Sequence, residues 1–517
     1  MASAARHQVA IGAIGTMHVK IDPAMLAIVL CLVAWCRPAA TKVEQPVSLH
    51  PKNPHYFLFR GKAVAFITGG EHYGAVLNAD FDYRRYLTTL KEEGLNYTRI
   101  FGGSYVEVPG KSFGILRNDL APAPGRFLAP WARTDSPGYA GGGKKFDLDR
   151  WDAAYFKRVH DFLAEASDRG VVVEISLFSS HYGDAQWNLS PFNPVNNVNR
   201  TEVADWKKLH TLENGNTLAY QEGYVRKLVY EANAFDNVIF EIQNEPWSDR
   251  PAPTGAMGTV NPFLEPPGRD RFPNAAEVAD DLSLAWQARV AEWITSEEAP
   301  LQNKHLVAQN YSNFRLPILR LLPTVSIANF HYAYPEAVSW NYGLDKAISY
   351  DETGFMGRDD DSYLRQAWNF MLSGGGIFDA LDYSFSPGHE DGSDSEPNGP
   401  GGGSKALRQQ LHVLSDFLQS FALADLHPDF QSVKRSGGTI ARVLSNSGQE
   451  YAVYFDGDGP AKVALDLPAG HYTGAWVNVR TGNIERSEDI RSTGHEVVLE
   501  SPDFRNGTAL RLKRVAH

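Results

Sequence analysis

Between about Pro54 and Phe421 the chain alternates short apolar runs with longer amphipathic segments. The apolar runs cover residues 63–68, 97–101, 171–178, 238–244, 305–309, 325–331, 347–352 and 376–381. Each is rich in β-branched or aromatic residues and bounded by polar or turn residues, as expected of a parallel strand covered on both faces. Helical spacing is clearest over 82–93, 151–169, 220–235, 275–295 and 362–372. Eight strand-then-helix units predict a closed α/β fold, the (β/α)₈ TIM barrel.

The remaining length is unevenly placed. Gly/Pro/Asn-rich segments at 104–145, 183–215, 247–273 and 386–404 each follow a strand rather than precede one. In a barrel all four crowd the face that carries functional residues, where they wall a pocket or a cleft. Beyond Asp425 the pattern changes to strand-like runs at 439–444, 451–455, 461–467, 472–479, 496–499 and 509–512, separated by turns such as Asp456-Gly457-Asp458-Gly459. These predict a small antiparallel β-sandwich. The expected organisation is therefore a leader over 1–40, a barrel over 48–424 and a sandwich over 425–517.

Composition narrows the function classes. A chain of 517 residues, 43% hydrophobic, supports a large core and more than one domain. The net charge of −12, with no basic stripe, argues against nucleic acid as a partner. Neutral ligands fit better, and 27 Phe, 22 Tyr and 11 Trp supply flat faces of the kind that stack on sugar rings. The two cysteines, Cys31 and Cys36, fall in or beside the apolar stretch 25–35, which follows the basic residues Arg6 and Lys20. That stretch suits a signal peptide, with Met17 a candidate start, and is too short for an integral membrane span. The expected location is secreted or periplasmic. Trp35 is a poor match to the small residue that precedes a lipidated cysteine, which argues against an anchor at Cys36. A mature chain without cysteine has no thiol chemistry, and no metal-ligand spacing appears, so neither metal nor cofactor is expected.

Functional residues of a barrel sit at the C-terminal ends of its strands. Here those ends carry Glu71-His72-Tyr73 after strand one, Arg99 in strand two, His181-Tyr182 after strand three and Asn244-Glu245 at strand four. Strand six ends in His331-Tyr332-Ala333-Tyr334, strand seven in Asp351-Glu352, and strand eight in Asp379, Asp382 and Tyr383. Pro246 cannot extend a ladder, so Glu245 sits at a strand end where its side chain can face a cavity. Glycoside hydrolysis needs two carboxyl groups flanking one bond, and Glu245 with Glu352, from strands four and seven, forms such a pair. Asp351 is the competing acid. The acidic run 359–361 reads as a loop and helix start.

Asn244-Glu245-Pro246 at strand four, Glu352 at strand seven, Arg99 in strand two and the His331 cluster at strand six together resemble a clan A glycoside hydrolase, close to the cellulase-like family five. The resemblance covers the whole barrel. It implies a retaining enzyme acting on a β-linked oligo- or polysaccharide, with Glu245 as acid/base, Glu352 as nucleophile, Asn244 on the sugar 2-hydroxyl and Arg99 beside the nucleophile. His331, with Tyr332 or Tyr334, would form the floor. His72, Tyr73, His181 and Tyr383 would line the pocket, and Trp187 or Trp247 would supply a stacking face. The chain departs from the family in having Ala333 where a Tyr is common and Tyr383 where strand eight often gives a Trp. The tail, with YAVYF at 451–455 and YTGAWVNVRTG at 472–482, resembles the sandwich labelled collagen-binding in many bacterial glycosidases. Two alternatives stand beside this reading: a catalytically inert carbohydrate-binding barrel, and another barrel hydrolase such as an esterase, for which Ser179-Ser180-His181 is the candidate.

Overall fold

The computed structural model describes residues 45–252, 276–396 and 398–515. The expected leader, with both cysteines, lies outside them, as does most of the insertion after strand four. Eight parallel strands form one sheet: Phe66–Gly70, Tyr97–Phe101, Val172–Ser179, Val238–Asn244, Leu306–Asn313, Ile327–His331, Ala347–Glu352 and Ile377–Leu381. They are called strands one to eight. Strand one pairs with strand eight, and pairing continues in order back to strand two, so the sheet is a nearly closed barrel. The junction between strands one and two is bridged by a side chain. Asn96 accepts from the Ile67 N–H and donates to the Ala65 carbonyl, both at 3.0 Å. Above it the Phe101 N–H donates to the Tyr73 carbonyl at 3.0 Å.

The first apolar run is divided in the structure. Lys62–Val64 belongs to a small antiparallel sheet with Ser48–Leu49 and Phe57–Phe59, and the barrel strand starts at Phe66. Phe57 and Phe59 from that sheet cluster with Phe66, Tyr97, Val172, Ile239, Ala308, Ile327, Ala347 and Ile377, one residue from each barrel strand. This apolar layer fills the bottom of the barrel. Polar inward residues are therefore confined to the layers above it.

The outer helices begin where short polar side chains cap them. Asp82 accepts from the first-turn N–H groups of Tyr83–Glu92, Asp152 from those of Ala153–Arg169, and Asp280 from Ser283 in Asp281–Glu298. Thr217–Ala232 and Asp360–Met371 complete the expected set, and Asp359 caps the latter, so the acidic run is a helix start. Helix Lys405–Gln419 was not among the expected elements, although Leu407, Leu411, Leu414 and Leu418 bury one face at helical spacing. No helix follows strand five among the described residues, and the chain over 314–326 is irregular. The insertion after strand two contains an unexpected hairpin, Trp131–Pro137 with Lys144–Trp151.

The C-terminal part is a sandwich of a six-stranded and a three-stranded antiparallel sheet. Ile484–Ser492, read as a turn region, is an edge strand whose residues are mostly exposed and polar. The larger sheet packs on the barrel's outer helices: Tyr454 stacks on Trp368 with ring centroids 5.4 Å apart, and Arg365 pairs with Asp456 at 2.8 Å. No helix among the described residues is long and apolar enough to cross a membrane.

Asn96→Ala removes both bridging bonds and leaves partly buried backbone groups unpaired, at about 1–3 kcal/mol each. Its denaturant midpoint should fall by a matching amount. An unchanged midpoint would mean that packing alone closes the junction.

Candidate active site

The barrel's centre is organised around one buried guanidinium. Arg99 points inward from strand two and donates to Glu241 through both Nε and Nη2, to Asn244 Oδ1 at 2.8 Å and to Glu352 Oε2 at 3.4 Å. Asp351 lies 3.4 Å from it. Burial works against its charge, but Glu241, Asp351 and Glu352 outweigh burial and hold its proton more firmly than usual. Glu174 and Glu241 share the layer beneath, linked by Asn329 Nδ2, which donates to Glu174 at 2.7 Å and to Glu241 at 3.0 Å. Burial pushes Glu174 and Asp379 well above the usual carboxylate range, and Glu241 upward despite Arg99. Asp351 moves the other way, because His331 and Arg99 together overcome its burial.

Above this layer stand the two glutamates. The Glu245 carboxylate accepts from Tyr182 Oη at 2.8 Å and from His331 Nδ1 at 2.9 Å. Glu352 accepts from Tyr73 Oη at 2.8 Å and from Tyr332 Oη at 2.7 Å. His331 Nδ1 also lies 3.5 Å from Glu352 Oε1. Burial would lower the His331 pKa, yet the charges of Glu352 and Asp351 raise it well above the ordinary histidine value. One imidazolium thus sits between two acids, and one oxygen of each acid lies within 4.8 Å of the other.

The site is backed by strained backbone. Glu245 has φ 45° and ψ 54°, a left-handed conformation disfavoured for side chains with a Cβ. Its N–H is held by Asn310 Oδ1 at 2.7 Å and its carbonyl by Ser180 Oγ at 2.6 Å. Of eleven non-glycine residues with positive φ among those described, six line this one cavity: Tyr73, Phe113, Tyr182, Glu245, Tyr332 and Phe355. Strain of this kind concentrates at functional sites.

The structure brings together Glu245, Glu352, Asn244, Tyr73, His72, Tyr332 and Tyr383 as cavity lining, with Arg99 and His331 beneath. It does not bring in the others. Tyr334 packs on Arg315, 4.8 Å from ring centre to guanidinium, so Tyr332 is the tyrosine on Glu352. Trp187 is buried edge-on to His181, and Trp247 edge-on to His331, so neither offers a face to the cavity. His181 lies behind the site beside His210 and Asp249, and its ring nitrogens bond neither Ser179 nor Ser180. Asp382 anchors its loop to Arg408 at 2.6 Å. Tyr182, Glu107 and Phe113 were not singled out as site residues. Tyr182 carried the same strand-end signal as His181, whereas Glu107 and Phe113 lie in a loop without periodicity.

Among the described residues three buried groups place nitrogen or oxygen ligand atoms within 4.8 Å of one another: His181, His210 and Asp249; Glu245, His331 and Glu352; Glu174, Glu241 and Asp351. Arg99 and Asn329 already engage the third group, and hydrogen bonds among its own members hold the second. A larger hollow of about 600 Å³ lies beside strand five, but its acids Asp280 and Asp281 pair with Arg250 and Arg320.

No family model matches the chain, and no curated protein is similar to it in sequence. Solved structures are similar to it. A glycoside hydrolase is 12% identical over 91% of this chain and 97% of that one, with a TM-score of 0.59. A family 5 glycoside hydrolase from Bacteroides vulgatus ATCC 8482 is 12% identical over 91% and 93%, with a TM-score of 0.56. The fold is shared with glycoside hydrolases. Because the match spans nine-tenths of the chain, it takes in sandwich as well as barrel.

Two outcomes follow. Arg99→Met strands several carboxylates without their cation, and the denaturation free energy should drop by about 3–5 kcal/mol; a smaller loss would mean that the acids neutralise at little cost. His181 is lowered by burial to about 3, so the folded state resists its protonation. The associated stability is complete above the unfolded value of about 6.5 and is lost as pH falls towards 3, at roughly 1.4 kcal/mol per pH unit. His181→Asn should flatten that acid limb in pH-dependent melts. An identical slope in the variant would reject this account.

Proposed function

We propose that the chain is a retaining glycoside hydrolase acting on a β-linked glycoside, with Glu352 as nucleophile and Glu245 as acid/base. The observation that carries the reading is the Glu245–His331–Glu352 group, in which two carboxylates from strands four and seven face one cavity with oxygens within 4.8 Å. Retaining enzymes hold their carboxyl groups about 5–5.5 Å apart and inverting ones about 6.5–9.5 Å, so the close spacing favours direct attack over an interposed water. The similar solved structures named as glycoside hydrolases support the same class.

Each neighbour has a task in this chemistry. Glu352 attacks the anomeric carbon, and the donors on it, Tyr73, Tyr332 and Arg99, orient the carboxylate and stabilise its charge. Glu245 gives its proton to the departing glycosidic oxygen and then takes one from the water that releases the sugar from Glu352. The proton is conserved over the two steps. His331, bonded to Glu245 and 3.5 Å from Glu352, holds the two acids side by side. Asn244 is pinned by Arg99 at Oδ1, which leaves Nδ2, now on Tyr182 at 2.7 Å, to turn to a sugar hydroxyl.

Glu245→Gln should lower kcat about 10²–10⁴-fold on an alkyl glycoside, with the thermal melt intact. Glu352→Ala should be inactive until azide enters the vacated space and yields a glycosyl azide of inverted anomeric configuration. NMR of the wild-type product should show the substrate's own anomer first. Appearance of the opposite anomer, or near-normal turnover in either variant, would sink the assignment.

A further inference from the structure

We propose that the cavity wall across from Glu245 is a recognition site for the hydroxyl groups of one terminal sugar, built from His72 and Glu107, and that the enzyme removes single neutral sugars from the non-reducing end of its glycan. The inference rests on the roles given above to Glu245 and Glu352. Since Glu245 protonates the departing oxygen, the leaving part of the substrate lies on the strand-four side. The ring being cleaved must then extend towards the residues that line the rest of the cavity, among them His72, Glu107, Leu381 and Tyr383. They come from strands one, two and eight or the loops after them, and strand eight stands four places from strand four around the ring.

Behind that wall the loops after strands two and eight are clasped together, Asn118 bonding Glu107 and Asn398 Nδ2 donating to the Tyr383 carbonyl at 3.3 Å. Leu116 N–H donates to the Asn398 carbonyl at 2.8 Å, and Arg117 N–H donates to Asn398 Oδ1 at 2.6 Å. Asn398 Nδ2 returns a bond to the Arg117 carbonyl at 2.9 Å, and the Arg117 guanidinium takes both oxygens of Asp394. A glycan continuing past the cleaved ring between these two loops would have to part them. An enzyme that cuts within chains needs an open groove there instead. The cavity measures about 40 Å³, against the roughly 10–15 Å³ that admits one water, so it holds a few waters and even one ring enters only with some opening of its walls. Phe113, in T-shaped contact with Tyr182 at 5.1 Å, is the most exposed part of the lining, and His72, Tyr182, Tyr332 and Phe355 are partly exposed beside it.

On that wall one polar atom is left over and another is weakly held. Glu107 Oε2 is taken by Asn118 Nδ2 at 2.5 Å and His72 Nε2 at 3.2 Å, whereas Oε1 has only a long contact with Tyr105 Oη at 3.4 Å. His72 Nδ1 is buried without a hydrogen-bond partner. An unpaired buried polar atom costs about as much as a lost hydrogen bond, so the wall has unused binding capacity. Glu107 raises the His72 pKa against its burial, and Nδ1, an acceptor in the neutral ring and a donor in the charged one, stands beside the acceptor Oε1. Adjacent hydroxyls of a sugar, each able to give and take a hydrogen bond, match that pair. A carboxylate in the same wall repels a uronic acid, which selects for neutral sugars.

The test begins with aryl β-glycosides of the neutral hexoses and pentoses, and continues with reducing-end-labelled β-linked oligomers of three to six units of the accepted sugar. Wild-type protein should release free monosaccharide and a labelled product one unit shorter, and methyl ethers on the terminal hydroxyls should block the reaction. Glu107→Gln should lose about 10–100-fold in kcat/KM on the intact terminal sugar and lose the preference for it over its deoxy analogues. Early appearance of internal fragments, turnover of the capped oligomers, or unaltered discrimination in Glu107→Gln would each overturn the proposal while leaving the glycosidase reading in place. Absence of turnover on every aryl glycoside and oligomer, with folded protein, would remove both.

Discussion

A single guanidinium sets the terms for everything above the barrel floor. Arg99 stands in a space closed below by an apolar layer and surrounded by Glu241, Asp351, Glu352 and, further off, Glu174. Several ionised carboxylates cannot share so dry a volume with one cation, and the structure resolves the conflict by sorting them. Glu174 and Asp379 are driven towards their neutral forms, Asp351 keeps its charge against Arg99 and His331, and the charge that remains is directed upward to the cavity. Such a network ties strands two, three, four and seven together at one level of the barrel, because each contributes at least one of its members.

The loops around the mouth have a second organising role. The segments after strands two and eight hold one another through Arg117, Asp394 and Asn398, and the segment after strand three reaches the acid-bearing turn through the His210–Asp249 pair at 2.5 Å. Among the described residues, the segments after strands two and eight are thus tied to one another, as are those after strands three and four. Asp249 also accepts from the His181 N–H at 2.9 Å, beside Tyr182, whose hydroxyl donates to Glu245. The sandwich contacts the helix after strand seven through Trp368 and Arg365 and reaches its start, where Asn506 and Arg480 engage Asp361; a hollow beside it is lined both by sandwich residues and by Tyr332 and Tyr334 from the end of strand six.

Much of this was readable from the chain because it depends on local signals. The eight strands appear as short β-branched runs, since both of their faces are covered, and Asn244, Glu245 and Glu352 appear where such runs stop. The region that was not readable depends on contacts between distant segments. Nothing in the residues near Glu107 announces that it will meet His72 from another strand end, and nothing in YGDAQW says that Trp187 will turn inward against His181. Tyr332 and Tyr334 are equivalent in sequence terms, and they are separated only by the left-handed backbone at Tyr332, which turns one hydroxyl to Glu352 and sends the other ring to Arg315. The polar edge strand Ile484–Ser492 escaped notice because an edge facing solvent lacks the alternation of a half-buried one.

The left-handed residues around the cavity carry an implication for the protein's history and for its engineering. Each bulky side chain held at positive φ costs on the order of 1 kcal/mol or more, and six of them ring one cavity. Glycine or asparagine would relax the backbone at each, but removing a packed aromatic ring costs about 3–5 kcal/mol, so variation screened for heat resistance alone is drawn, among the six, towards replacing Glu245. The most durable descendants of this chain would then be the ones that had forgotten their chemistry, and only selection for turnover keeps the mouth of the barrel under tension.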